Sequence, residues 1–344
     1  MKRTFFVVNL ILIIVLSFFS SCRQCSMPKD GKKADNIDTT IHVKALDEIN
    51  EAIKKDSINP NLYFRRAQIH QGLKDLKAAL ADMYIADLLD SANSDFNLYT
   101  ADLFMQGNDA DRAIAWMDWS IHVDSSNIKY YLYGGKFAYL KKDYKKAMAH
   151  FNEAIRRDMF NGDIYYYKGL VYLETKDTNK ALSSFQTCVE QDPKKADAFL
   201  QMGLIYQQRG DKIADKYLNN AVKANPKETD ALYAKGYGEQ KQGKYLQSIE
   251  TFKQIIEIDY KNEEALYGIG YNYAQIDSVK QAYHFFDMAI KMNPKDAKAY
   301  YGKGTCAEEF KHYDEARALY KECLSITPKD ELAREGMKRL QSNP

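Results

Sequence analysis

The sequence predicts an all-α solenoid of paired antiparallel helices, and three observations carry that prediction. From Pro60 to the C-terminus the chain repeats every 34 residues. The period is marked by Asp56-Ser57, Asp90-Ser91, Asp124-Ser125, Asp158-Met159, Asp192-Pro193, Asn225-Pro226, Asp259-Tyr260, Asn293-Pro294 and Thr327-Pro328, with one spacing of 33 between Pro193 and Pro226. Small and large residues return at fixed positions of each repeat. Prolines are few, and Pro193, Pro226, Pro294 and Pro328 each close a unit. A stacked array needs contact only between neighbours, so a chain of 344 residues requires no second globular core.

Residues 1–21 read as a secretory signal peptide. Lys2 and Arg3 give a basic start, and Phe5 to Phe19 is an apolar run broken only by Asn9 and Ser17. That run falls short of the ~20 residues a membrane span needs. Phe19-Ser20-Ser21-Cys22 follows and resembles the lipobox of bacterial lipoproteins of the Bacteroidetes type, with Phe where Leu is usual. The resemblance implies cleavage before Cys22, acylation of Cys22 and a membrane tether. An uncleaved anchor and a soluble secreted chain are the alternatives. Residues 22–40 are polar and aperiodic, which reads as a lipidated flexible stalk. Some lipoproteins of that group carry an acidic run after the cysteine that sends them to the cell surface. Arg23-Gln24 stands here instead, so the expected place is the cell envelope, facing the periplasm at the outer membrane.

Residues 41–57 form an N-terminal capping helix, with Ile41, Ala45, Ile49, Ala52 and Ile53 on one face and Thr40 as N-cap. Eight units follow: 60–93, 94–127, 128–161, 162–195, 196–228, 229–262, 263–296 and 297–330. Each reads as two helices joined by a tight turn. Position 8 is Ala67, Ala101, Gly135, Gly169, Gly203, Gly236, Gly270 and Gly304. Glycine inside a helix costs about 1 kcal/mol, so its return predicts a neighbouring backbone too close for a Cβ. Position 20 is small, with Ser248 the one exception to Ala. Position 24 is large: Met83, Met117, Phe151, Phe185, Leu218, Phe252, Phe286 and Tyr320. The fifth unit lacks a residue between Gly210 and Ala214, which predicts a tighter turn. Residues 331–344 supply a C-terminal capping helix, as an exposed solenoid end requires.

Small at 8, small at 20, large at 24, small at 27 and Pro at 32 resembles the tetratricopeptide repeat over residues 60–330. Ile255 at position 27 and the absence of glycine at position 8 of the first two units are local departures. The resemblance implies a right-handed superhelix whose first helices line a concave groove for a peptide or protein. Carried onto this chain, the groove residues are Phe64, Tyr166, Tyr233, Tyr267 and Tyr301 at position 5, with Tyr237 and Tyr271 at position 9. Tyr233 with Tyr237, and Tyr267 with Tyr271, stand at i, i+4 in consecutive units and form one aromatic patch. Aromatic stripes also serve as packing, but the packing positions are already filled, which favours the groove. Position 2 is acidic at Asp95, Asp163, Asp197, Asp230 and Glu264. These carboxylates sit near helix N-termini, where the macrodipole stabilises them without any ligand, and that reading is preferred over a ligand-binding rim. The clamp that some family members use for chaperone C-termini needs Lys at position 5 and Asn at position 9, and no unit offers the pair.

Composition and motifs exclude several classes. Without Lys2 and Arg3, the 49 basic residues fall to 47, equal to the 47 acidic ones. Nucleic acid is therefore not an expected partner. The six histidines lie in different units and form no metal pair. Gly302-Lys303-Gly304-Thr305 falls inside a helix and lacks phosphate-loop spacing. Gly107 to Asp111 falls short of a calcium loop. The cysteines show no zinc pattern, and pairing of Cys306 with Cys323 stays open. The expected function is a non-catalytic scaffold without cofactor or metal, tethered to a membrane and recruiting a peptide or protein partner to an envelope assembly, secretion or cell-wall machine. The alternatives are a glycan-binding or enzyme-associated accessory lipoprotein, because aromatic grooves also stack sugars, and a self-associating homodimer.

Overall fold

A computed structural model describes residues 34–341, with side chains from Lys44 onward. The leader, Cys22 and the stalk up to Lys33 lie outside the described residues. Among the described residues every regular element is an α-helix. The chain divides into two compact units, one ending at Trp116 and one beginning at Met117.

The first unit holds α1 (Ala34–Lys55), α2 (Pro60–Gly72), α3 (Leu76–Leu89), α4 (Ser94–Gln106) and the start of α5 (Ala110–Val123). α1 packs on α2, α2 on α3 and α3 on α4. α1 begins at Ala34, so Thr40 is an interior residue rather than an N-cap, and 34–40 is helix rather than stalk. Tyr63, Ala67, Met83, Ala86, Phe96 and Leu103 form the core of this unit. Arg66 Nε reaches Asp82 Oδ2 at 2.9 Å, and Asp82 is only 3% exposed.

The second unit holds α6 (Ile128–Leu140), α7 (Tyr144–Arg157), α8 (Gly162–Glu174), α9 (Thr178–Gln191), α10 (Ala196–Arg209) and α11 (Ala214–Ala224). α12 (Thr229–Lys241), α13 (Tyr245–Ile258), α14 (Glu263–Gln275), α15 (Val279–Met292), α16 (Ala297–Glu309), α17 (Tyr313–Ile326) and α18 (Glu331–Gln341) complete it. From α6 on, each helix packs on the next.

Local chemistry sets the helix boundaries. Asn59, Asn93, Asn127, Asn161, Asn262 and Asp296 cap the first helices, each side-chain oxygen taking a backbone N–H two or three residues on. Asp75, Asp143 and Asp177 do the same for second helices. The turn within a repeat reverses the chain in three residues, and its middle residue is left-handed. Lys74, Asn108, Lys142, Lys176, Asp277 and Lys311 have φ between 57° and 66°. This lets the turn's N–H groups bond back to the last carbonyls, as Lys142 N does to Tyr139 O at 2.8 Å. In the fifth repeat the missing residue does not tighten the turn. Gly210 keeps the left-handed place at φ 71°, and α11 starts late and runs for only 11 residues where α9 and α13 have 14.

The glycines of position 8 answer to a side chain, not to a backbone. A Cβ on Gly135 would lie 2.4 Å from the Phe151 ring, one on Gly169 2.4 Å from Phe185 and one on Gly304 2.7 Å from Tyr320. Each is the position-24 residue of the same repeat. From the other side, the next first helix brings Gly268 against Phe252, Gly302 against Phe286 and Gly336 against Tyr320. The rings are thus held between two bare helix surfaces. Ser248 fits its small slot because its hydroxyl donates to Gly236 O at 2.7 Å and accepts from Asn272 Nδ2 at 2.7 Å.

Candidate functional site

The position-5 tyrosines have their rings rooted in that core. Tyr166 lies 5.9 Å from Phe185, Tyr233 5.7 Å from Phe252, Tyr267 5.7 Å from Phe286 and Tyr301 5.8 Å from Tyr320, centroid to centroid. Each side chain therefore packs at its base and differs in what its hydroxyl meets. Tyr233, Tyr237, Tyr267, Tyr271 and Tyr301 are half-buried. Tyr166 is 3% exposed and belongs to the core around α8 and α9. Phe64 is half-buried in the first unit, 5.1 Å from both Phe96 and Tyr99.

Tyr233 and Tyr267 share a concavity of about 270 Å³ with Glu263, Glu264, Asn293, Lys295, Asp296 and Lys298. Tyr271 stacks obliquely on Tyr267 at 6.5 Å, and Lys241 lies over the Tyr237 ring at 5.4 Å. Burial, helped by Glu264 and Tyr237, pushes the Tyr233 hydroxyl up to about 12. Burial and then Asp296 push Tyr267 well above the usual phenol range. Both remain protonated donors near neutral pH.

Two of the position-2 carboxylates, Asp230 and Glu264, behave differently from simple helix-terminus residues. A macrodipole acting alone would lower their pKa values. Asp230 is instead raised, by burial and then by Asp197. Glu264 is raised by burial and Glu263, which outweigh the opposing pull of Lys298. Glu228 is raised by burial, Asp230 and Asp197. A row of like charges, partly withdrawn from water, runs along the starts of α10, α12 and α14.

In repeat four the same two positions hold a cation from the chain itself. Lys195 stands where six of the eight first helices have a capping Asn or Asp, and α10, like α12 with Glu228 at that place, has no side-chain cap bond. Giving up such a cap costs about 1 kcal/mol. Its Nζ instead meets Asp163 Oδ1 at 2.7 Å and lies 5.2 Å from the Tyr166 ring centroid. Burial pulls the Lys195 pKa down, but the bond to Asp163 leaves it raised. At the other end, Arg339 of α18 binds Glu308 twice at 3.0 Å and interacts with the Tyr301 hydroxyl. Sequence reasoning missed Lys195. The signal was present, a lysine at the N-cap position of a helix.

Other chemistry is muted. Cys188, Cys306 and Cys323 are buried free thiols. Burial pushes Cys188 up to about 12, and Cys306 and Cys323 up to about 11, the behaviour of packing residues rather than nucleophiles. Among the described residues no group of acidic, His and Cys side chains could hold a metal ion. No described helix is long and apolar enough to cross a membrane.

Residues 162–195 and 279–331 match family models of the tetratricopeptide repeat. No curated protein matches the sequence. Among solved structures, the C-terminal part of a TPR repeat-containing protein from Cytophaga hutchinsonii is similar at 16% identity. It covers 70% of this chain and 99% of that one, with a TM-score of 0.59. A structure of pilF from Pseudomonas aeruginosa is similar at 14% identity, over 64% of this chain and 99% of that one, with a TM-score of 0.52. The Cut9–Hcn1 hetero-tetramer of the APC/C is similar at 15% identity, over 86% of this chain and 58% of that one, with a TM-score of 0.51. At such identities these likenesses speak to the fold alone. The fold is that of a helical-repeat scaffold. The chain is a tetratricopeptide-repeat protein, and its repeats point to protein interaction.

Proposed function

We propose that the protein is a non-catalytic adaptor that presents the tyrosine-lined first-helix face of its C-terminal repeats to a peptide or protein partner. The observation that carries this reading is the shared concavity of Tyr233 and Tyr267, with Tyr271 stacked beside it. Rigid aromatic rings rooted in a core offer contact area at little entropic cost, and their protonated hydroxyls donate hydrogen bonds to a backbone. The apolar leader Phe5–Phe19 and the Phe-Ser-Ser-Cys sequence ending at Cys22 support a lipid tether, and with it a place in the cell envelope, facing the periplasm. Partner capture by wild type is compared with capture by a Tyr233→Ala/Tyr237→Ala/Tyr267→Ala/Tyr271→Ala variant of unchanged helicity. Loss of the captured protein is expected, and an unchanged set of partners rules out this face. Fatty-acid labelling that survives Cys22→Ala rules out the tether.

A further inference from the structure

We propose that repeats six and seven bind a cationic peptide segment, seating one lysine or arginine on Tyr233 beside Asp230 and a second on Tyr267 beside Glu264. This rests on the peptide-binding reading above and adds the chemistry of the ligand. The chain contains its own template. In repeat four, Lys195 occupies the place between the position-2 carboxylate and the position-5 ring, 2.7 Å from Asp163 and 5.2 Å from the centroid of Tyr166. In repeat eight, Arg339 attends Tyr301. Repeats six and seven keep the carboxylate and the tyrosine but not the cation. The residues matching Lys195 are Asn262 and Asp296, and both are engaged as caps, at 2.9 Å to Ala265 N and 3.0 Å to Lys298 N. No cation thus stands at the place of Lys195 in repeats six and seven, and Lys298, beside Glu264, only partly offsets what burial and Glu263 do to it.

Size and charge agree with that occupant. A concavity of about 270 Å³ is smaller than the ~300–1,000 Å³ typical of small-molecule sites, so it suits side chains of a longer ligand. In the concavity the carboxylates of Glu263, Glu264 and Asp296 stand with two lysines, Lys295 and Lys298, and Asp230, Glu228 and Asp197 continue the acidic row toward repeat five. At the head of the row the Tyr166 hydroxyl is buried with no hydrogen-bond partner and feels Asp197 most strongly of the charges around it, which leaves a donor unspent. Burial, and after it repulsion from Asp197 and Glu263, raises the carboxyl pKa values of Asp230 and Glu264, and a bound cation offsets both. A guanidinium or ammonium over a tyrosine face and against a carboxylate gains from both contacts.

The test titrates fluorescein-labelled hexalysine into the full chain at low ionic strength and reads anisotropy, with hexaglutamate and a glycine–serine hexapeptide as controls. Hexalysine alone is expected to bind. Asp230→Asn/Glu264→Gln should weaken it about tenfold or more, and Tyr233→Leu/Tyr267→Leu, which keeps every charge, by about threefold. Glu264→Lys, which supplies the cation from within, should give a loss like that of the neutral pair. Glu250→Gln/Glu257→Gln, two exposed positions on α13, should change nothing. Both neutralising changes relieve repulsion, so melting at or above the wild-type temperature accompanies the loss. Absent binding of hexalysine, or binding indifferent to Asp230, Glu264 and the tyrosines, overturns the proposal. Tyrosine-dependent binding of only the neutral or acidic peptide overturns it while leaving the adaptor reading in place.

Discussion

Gly270→Ala tests the packing rule on which the array rests. The new Cβ would lie 2.9 Å from Phe286 Cδ1 and 3.0 Å from Cε1, against ~3.5–4.0 Å for comfortable carbon contacts. The ring cannot retreat, because the Cα of Gly302 closes the opposite side so tightly that a Cβ there would fall 2.6 Å from Cζ. Alanine gains up to about 1 kcal/mol of helix propensity, while overpacking a filled core costs about 1–3 kcal/mol. With the ring blocked on both sides the cost falls in the upper part of that range, so the expected net loss is about 1–2 kcal/mol. The chain also names the remedy. Where position 8 is alanine, at Ala67 and Ala101, position 24 is Met83 and Met117, and the aromatics appear only opposite glycine. Methionine is thin and flexible enough to yield to the extra methyl. Phe286→Met in the Gly270→Ala background should therefore recover at least about 1 kcal/mol relative to additivity. Solenoids unfold in pieces, so the readout is urea denaturation paired with hydrogen exchange resolved to α14, α15 and α16. A Gly270→Ala variant as stable as wild type, or strict additivity of the two changes, refutes the reasoning.

Three further outcomes follow from particular contacts. Asp87 is 4% exposed, takes one bond from Thr100 Oγ1 at 2.8 Å, and is pushed by burial up to about 6. The folded state thus holds its proton longer than the unfolded chain, so stability should fall as pH rises from about 4 to about 6, by roughly 2–3 kcal/mol. Asp87→Asn keeps an acceptor for Thr100, and should remove that slope and stabilise the protein at pH 7, which thermal melts across this range will show. Lys142→Gly should raise stability by about 0.5–1 kcal/mol, because φ 66° strains any side chain and suits glycine, and a lowered melting temperature would contradict this. Asp82→Ala should cost about 3 kcal/mol by stranding Arg66, whereas Arg66→Met/Asp82→Leu should cost far less, and equal losses in denaturation would show that the pair is not coupled.

The helix pairs were legible because a stacked array writes its contacts at a fixed spacing, so one unit explains the next. The neighbour that each glycine faces was less legible. Smallness at Gly270 says that space is short, but not whether a backbone or the Phe286 ring takes it. Only the pairing of position 8 with position 24 across all units carries that information. The late start of α11 was hidden for a similar reason. Gly210 satisfies the left-handed turn wherever the missing residue falls, so the deletion passes into the following helix rather than into the turn. The unbroken extension of α1 to Ala34 was equally unmarked, since Asp38 to Thr40 carries cap-like residues that a helix interior also tolerates.

The site shows the same limit more sharply, and shows what decides it. Tyr166, Tyr233, Tyr267 and Tyr301 share one position and one packing partner, so their pattern predicts one role for all four. What separates them is a charge brought from far along the chain, 29 residues on for Lys195 and 38 for Arg339. A helix-terminus reading of Asp230 and Glu264 treats each carboxylate alone with its own dipole. Yet burial raises their pKa values, and after it Asp197 and Glu263, which lie on a neighbouring repeat or one residue away. Two lysine or arginine substitutions thus suffice to test the account from within. Asn262→Lys and Asp296→Lys rebuild the repeat-four arrangement in repeats six and seven. They should lower the pKa values of Asp230 and Glu264, read by carboxyl NMR titration, although each gives up a cap worth about 1 kcal/mol. If the carboxyl values stay raised, the position between carboxylate and ring is not a cation seat, and Lys195 in repeat four is an isolated ion pair.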